Sequence, residues 1–188
     1  MSGLRLVSIC PNPEPDPRRA SEEHPSLDAF RREFTYLTRT FRRLGVSRDD
    51  VEDLAHEVFL VLYRTWERYD PARPFRPYLF GIAFRIACDH LRRRRREVSD
   101  AVVEIDDPGP RPDQEFETNQ RRALLLKALA RVPLPNRAVL VMHDIEEIPM
   151  AEIASALSIL RFTGYSRLRR ARKMLAGAVA ALGQGRQP

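Results

Sequence analysis

Glycine is scarce in this chain, 8 of 188 residues, and cysteine is scarcer still, at two. So few glycines among many Leu, Ala, Arg and Glu residues predict helix rather than sheet. Cys10 and Cys88 stand in unrelated contexts and form no CxxC pair, which fits a reducing cytosol and argues against a disulfide scaffold or a thiolate zinc site. The four histidines show no ligand spacing. His56-Glu57 opens like the HExxH zinc motif, but Leu60 stands where the second histidine belongs. No metal, cofactor or catalytic residue is therefore expected. No run reaches the roughly 18 apolar residues of a membrane span. The apolar patch Leu4 to Ile9 passes at once into PNPEPDP, too short for the apolar region of a signal peptide. Aromatics, at 8%, keep any core modest. These absences leave an all-α protein expected in the cytoplasm.

What the chain has is charge, unevenly spread. Residues 1–26 carry 3 basic and 4 acidic residues with five prolines and read as a disordered arm. Residues 27–96 carry 16 basic and 10 acidic residues, residues 97–120 carry 1 and 8, and residues 121–188 carry 12 and 4. The simplest organisation is two small basic helical domains, over 27–96 and 117–182, joined by a flexible acidic linker over 97–116, with a tail at 183–188. The formal net charge of +6 suits a nucleic-acid binder without proving one.

In the first module, Val51, Leu54, Ala55, Val58, Phe59, Leu62, Tyr63 and Trp66 recur at three-four spacing and predict a helix over about Asp49 to Glu67. Ser47 is placed to cap it, and Gly45 to close a preceding helix from about Leu27 to Leu44. The proline-broken stretch from Tyr69 to Pro77 predicts an ordered loop. A second long helix then runs from Tyr78 into the five arginines of DHLRRRRRE, with Leu79, Ile82, Ala83, Ile86, Ala87 and Leu91 inward. The second module reads as helices over about Glu117–Ala130, Asn136–Ile145, Met150–Leu157 and Phe162–Leu182. A short helix, a tight turn and a longer basic helix is the layout of a helix-turn-helix.

Three features could carry function. RFTGYSRLRRARK, residues 161–173, holds six basic residues and no acid. With Leu168, Ala171 and Leu175 inward, Tyr165, Ser166, Arg169, Arg170 and Lys173 fall on the sides and outer face, suited to phosphates and base edges. The five arginines point all round their helix and have only Asp89 and Glu97 as nearby acids. With Arg73, Arg76 and Arg85 upstream and Tyr69, Phe75 and Tyr78 beside them, they suggest a basic, aromatic surface for unstacked bases, or else aromatics that are simply core. Lastly, Asp53, Glu57, Leu60 and Arg64 share a helix face away from the apolar stripe. That face is either solvated or a protein-docking surface.

Together these segments resemble the extracytoplasmic-function sigma factors of bacterial RNA polymerase. DDVEDLAHEVFLVLYR looks like the family's region 2.2, PFRPYLFGIAFRIACDHLRRRRR is similar to regions 2.3 and 2.4, and LPNRAVLVMHDIEEIPMAEIASALSILRFTGYSRLRRAR looks like region 4. The resemblance implies that Asp53, Leu54, His56, Glu57 and Leu60 dock on the clamp helices of the largest polymerase subunit, with His56 where Gln is usual. It implies contact with the −10 element by Tyr69, Arg73, Phe75, Arg76, Tyr78, Arg85, Asp89, Arg92 and Arg93. Arg85 stands in place of the usual Asn, and Tyr78 in place of Trp. It further implies contact with the −35 element by Arg161, Thr163, Tyr165, Ser166, Arg167, Arg169, Arg170 and Lys173. In that region Ser158 replaces the turn Gly, Phe162 a small residue, and Gly164 a buried Val. The last exchange is expected to cost about 1 kcal/mol in helix propensity, plus packing. The implied partners are core RNA polymerase, promoter DNA and, as in many relatives, an anti-sigma factor.

Other readings are weaker. A helix-turn-helix regulator that never meets polymerase leaves the acidic face and the Tyr69–Phe75 loop idle, and no dimerisation seam is evident. A sigma-like adaptor that no longer reads a −35 element would differ only in the altered recognition helix. A nuclease built on Asp49, Asp50 and Asp53 lacks a partner cluster, and the helix start explains those acids.

Overall fold

The computed structural model describes residues 24–97 and 113–184. The predicted arm lies almost wholly outside these residues, as do 98–112 of the predicted acidic linker and most of the predicted tail; the linker's expected last residues, 113–116, are helical instead. The described chain forms α1 (Pro25–Leu44), α2 (Val51–Thr65), α3 (Phe75–Glu97), α4 (Asp113–Ala130), α5 (Leu134–Leu140), α6 (Met150–Ala156) and α7 (Arg161–Gln184). A 3-10 turn over Trp66–Arg68 follows α2, and a wide turn of π-helix over Val141–Ile145 follows α5. The described residues contain no strand.

Each helix end has a local cause. His24, the N-cap of α1, accepts the Ser26 backbone N–H on its ring nitrogen, and Pro25 sits at the first position, where a missing N–H costs nothing. The end of the expected arm is thus the start of the fold. Gly45, at φ 91°, closes α1 in the left-handed conformation and donates its N–H to the carbonyls of Phe41 and Arg42. Ser47 does not cap α2 as expected. Asp50 holds the cap position with helical backbone, and the Ser47 hydroxyl donates to its carboxylate instead. The loop after α2 is shorter than predicted. Phe75, Arg76 and Pro77 already form the first turn of α3, where proline fits because its absent N–H would have no partner.

The inward stripes pack as their spacing requires. Leu37, Phe41 and Leu44 of α1 meet Leu54, Ala55, Val58 and Leu62 of α2 and Leu79, Phe80, Ala83 and Ala87 of α3, all buried. In the second module α7 lies across α4, α5 and α6 through Leu168 and Ala171. Each fully buried large apolar side chain contributes about 1.5–3 kcal/mol.

The two modules also pack on each other, which charge segmentation did not foretell. Helix α1 touches α4 and α5, α3 touches α6, and the buried apolar residues of both modules form one continuous cluster. A Cβ on Gly81 would lie 2.8 Å from the Ala156 carbonyl oxygen, so α3 and α6 approach this closely only because that side chain is absent. Arg43 and Glu146 form an ion pair across the seam. Beside it lies Arg137 of α5, only 7% exposed. Its guanidinium donates to the carbonyls of Leu44 (2.7 Å), Ala130 (2.7 Å) and Val132 (2.8 Å), joining the end of α1 to the end of α4. Burial pushes this guanidinium down to about 10, with Arg95 adding to the effect, so it is still charged at neutral pH.

Candidate protein and nucleic-acid interfaces

Helix α2 turns one face to solvent. Asp53, His56 and Glu57 are exposed, and Leu60, one turn on, is 39% exposed. Leu54, grouped with them by sequence, is 3% exposed and seats the helix on the core; it offers no surface to a partner. Further along, Phe59 and Tyr63 lie against rings of α1 and its cap. Phe30 is 5.2 Å from Phe59 and His24 is 4.4 Å from Tyr63, centroid to centroid. The α2 face thus joins acid, leucine and aromatic edge, which suits a protein surface better than a polyanion.

At the other end of α2 the aromatics gather. Tyr69 packs 5.6 Å from Trp66, 5.4 Å from Phe75 and 5.1 Å from Tyr78, and none of the four is fully buried. Polar tips hold the rings in place: Tyr69 Oη donates to the Arg73 carbonyl at 2.7 Å, and the Tyr78 and Thr65 hydroxyls meet at 2.8 Å. Burial and the nearby Asp70 carboxylate raise the Tyr69 phenol, keeping it a donor. Trp66 belongs to this platform and was read from sequence only as part of the apolar stripe. The platform is half core and half surface, which reconciles the two readings of these rings.

The arginines divide by partner. Arg76 reaches back to α1, where it donates to Glu33 at 2.9 Å and lies 5.1 Å above the Tyr36 ring, so it anchors the start of α3. Arg94 donates to Asp50 at 2.6 Å and to the Ser47 hydroxyl at 2.9 Å, and His90 lies 3.2 Å from the same carboxylate. Burial works against that carboxylate, but Ser47, Arg94 and His90 outweigh it and hold it below the usual range. Asp50 is therefore the acid that the arginine run meets, 44 residues upstream. Arg92 stands 3.7 Å from Asp89 in a loose, exposed pair, as does Arg73 from Asp70. Arg85, Arg93, Arg95 and Arg96 are exposed and have no carboxylate in ion-pair reach among the described residues. Glu57, Ile86, Asp89, Arg92, Arg93 and Arg96 line a shallow open groove, so the predicted protein-docking and DNA-contacting residues adjoin.

In the second module α6, the tight turn and α7 form the expected helix-turn-helix. Leu168 and Ala171 are buried, and Leu175 packs partly against the core. Arg161, Tyr165, Arg169, Arg170 and Lys173 are exposed, whereas Thr163, Ser166 and Arg167 are half-buried on the flanks. Arg172 is engaged within the module, donating to both oxygens of Asp144 at 2.9 and 2.7 Å. Those hydrogen bonds hold the Asp144 carboxyl below the usual range. Ser158 takes the turn at φ 54°, a left-handed backbone that glycine adopts without strain. Gly164 leaves no hole, contrary to the expectation of lost packing. The Met150 thioether fills the space where a Cβ would stand.

Comparison with known proteins agrees with this geometry. Residues 29–97 match Sigma-70 region 2 and residues 122–175 match Sigma-70, region 4. The chain is 32% identical over 158 residues to the ECF RNA polymerase sigma factor SigE of Mycolicibacterium smegmatis. That match covers 80% of this chain and 60% of the relative, so the chain spans less than two thirds of that protein. It is 30% identical over 152 residues to the ECF RNA polymerase sigma factor SigL of Mycobacterium tuberculosis, covering 78% of this chain and 84% of the relative. Its fold is similar to that in the structure of CnrH in complex with the cytosolic domain of CnrY, with a TM-score of 0.63 at 21% identity, covering 86% and 92% of the two chains. This chain belongs to the extracytoplasmic-function sigma factors of the sigma-70 family.

Proposed function

We propose that this protein docks on bacterial core RNA polymerase and directs promoter-specific initiation of transcription. The observation that carries the reading is the pairing, in one chain, of an acidic, leucine-bearing α2 face with an outward basic face on α7. Asp53, His56, Glu57 and Leu60 meet the clamp helices of the largest polymerase subunit. The ring platform of Tyr69, Phe75 and Tyr78 takes unstacked bases of the −10 element, while Arg85, Arg92 and Arg93 follow the phosphates. On α7, Arg161, Tyr165, Ser166, Arg169, Arg170 and Lys173 read the −35 element. Promoter opening then needs no catalytic group in this chain. Bases held outside the stack shift the duplex toward its open state, and the polymerase does the chemistry.

The packed modules set a geometric condition. A compact chain of this size is roughly 40 Å across. The −35 and −10 elements lie about 25 base pairs apart, or roughly 85 Å at 3.4 Å per base pair. Simultaneous reading therefore requires the seam at Arg137 and Gly81 to open on the polymerase. The site of action is the cytoplasm, at the nucleoid when bound to polymerase. No helix among the described residues is long and apolar enough to cross a membrane. The solved relative CnrH is in complex with the cytosolic domain of CnrY, and an anti-sigma protein is the corresponding candidate partner here.

Co-migration of the full chain with core RNA polymerase tests the reading, with Asp53→Arg plus Glu57→Arg as the comparison. The wild type should bind stably and support specific run-off transcripts. The double reversal should lose both while keeping its melting temperature. Absence of wild-type binding to any core enzyme, with DNA affinity intact, would leave a plain helix-turn-helix regulator.

A further inference from the structure

Among the exposed residues of the basic half of α7, 161–173, one has no basic or polar character. Phe162, the second residue of the helix, is 81% exposed, and Leu160 just before the helix is 77% exposed. Tyr165, one turn on, is 57% exposed. Scattered exposed hydrophobics are ordinary, but three within six positions at one helix start are a patch. Phe162 also lies in register with Ser166, Arg169 and Lys173, at i, i+4, i+7 and i+11, so it occupies the middle of the DNA-facing stripe. Its opposite side is the buried one, formed by Gly164, Leu168 and Ala171. The ring is therefore directed away from every core contact.

We infer that Phe162, flanked by Leu160, reads the C5-methyl group of a thymine in the −35 element. Thymine is the only base of unmodified DNA that offers an apolar group in the major groove, and an aromatic ring at the N-terminal end of a recognition helix is placed to cover it. The surrounding charge selects the occupant. Residues 161–173 hold six basic residues and no acid, so whatever covers the ring must also satisfy cations on both sides of it. Duplex DNA does this with its phosphates while presenting the methyl between them. The inference rests on α7 as the −35 reader and adds the base feature that it reads.

Deoxyuridine, which lacks only the methyl, isolates the effect. Full-length protein with core RNA polymerase first selects −35 sequences from a randomised promoter library. Each selected thymine is then replaced singly by deoxyuridine, and holoenzyme affinity is compared for wild type, Phe162→Gly and Phe162→Leu. At one position the wild type should lose about fourfold, the effect of exposing one methyl to water. Phe162→Gly should bind the thymine and deoxyuridine forms equally, and Phe162→Leu should keep part of the difference. Selection of a −35 sequence with no deoxyuridine-sensitive position, or equal sensitivity in wild type and Phe162→Gly, overturns the inference while leaving α7 as the reader. Weaker core-polymerase binding by Phe162→Gly, with unchanged deoxyuridine discrimination in the holoenzyme formed at saturating protein, also overturns it, and assigns the ring to a protein contact. No selected −35 sequence at all would instead remove the reading on which it rests.

Discussion

Helices α3 and α7 are both long and arginine-rich, yet they carry their charge at opposite ends. In α3 the run Arg92–Arg96 closes the helix, where the C-terminal end of the macrodipole favours cations. In α7 the basic residues fill the first half, from Arg161 to Lys173, and the first turn contains no acid. There the dipole opposes Arg161, which lies in the first turn. Each helix commits arginines to hold itself in place, Arg76 to Glu33 and Arg94 to Asp50 in α3, and Arg172 to Asp144 in α7. The arginines that close α3 suit their helix end even without a ligand, whereas Arg161 is unfavourable to the start of α7 until an anion arrives. A basic run is thus stronger evidence of binding at a helix start than at a helix end.

The largest test of this contrast is Arg169→Ala with Lys173→Ala. Holoenzyme affinity for a −35 duplex should fall by about ten- to a hundredfold, as expected for lost phosphate or base contacts. The melting temperature should hold, because both side chains are exposed and neither lies in the first turn of the helix. A fall in both would mean that these side chains support the fold.

The seat of α7 gives a second test and shows where sequence reasoning ends. Most of the outward and inward faces of α2, α3 and α7 were legible because three-four spacing determines them, although Tyr63, counted in the apolar stripe, is 44% exposed; Gly45 was legible because a helix followed by glycine has a known closure. Gly164 was misread as a loss of packing, since nothing in a helical pattern reveals that Met150, on another helix, reaches into the gap. Arg137 was passed over for the same reason: its carbonyl partner Leu44 is 93 residues away. Asp50 was read only as an acid at a helix start, because its pairing depends on Arg94 folding back to it. Phe162 was noted only as a departure from a small residue, though its register with Ser166 and Arg169 was there to be read. Gly164→Val should therefore destabilise by about 1–2 kcal/mol, the usual penalty for overpacking less a small gain in helix propensity. Adding Met150→Ala should recover part of it, a coupling that a thermal-melt double-mutant cycle resolves.

Asp50→Asn probes the anchor of α3. Its carboxylate is 30% exposed, so losing the charge-assisted bonds to Arg94 and His90 should cost only about 1 kcal/mol. The sign with pH follows from a carboxyl held below its ordinary value of 3.8. The contribution is complete above that value and is lost as pH falls through the lower, folded one. Wild type and Asp50→Asn should thus differ in melting temperature at neutral pH and converge in acid. DNA affinity of the α3 surface should change little if Arg94 is structural. A large loss would place Arg94 among the phosphate contacts and blur the difference between the two helices.

The smallest effect concerns the turn that aims α7. Ser158 holds φ 54° with its N–H donated to the Ser155 carbonyl at 3.2 Å, in a backbone region where a Cβ is crowded. Glycine relieves that crowding but has more freedom to lose on folding, so Ser158→Gly should stabilise by only about 0.5–1 kcal/mol. Because the turn geometry is unchanged, selection of −35 sequences should be unchanged too. A shift in the selected sequence without a change in melting temperature would show that the serine hydroxyl, rather than the backbone, is what this turn contributes. The outward face of α7 would then begin two residues before Leu160.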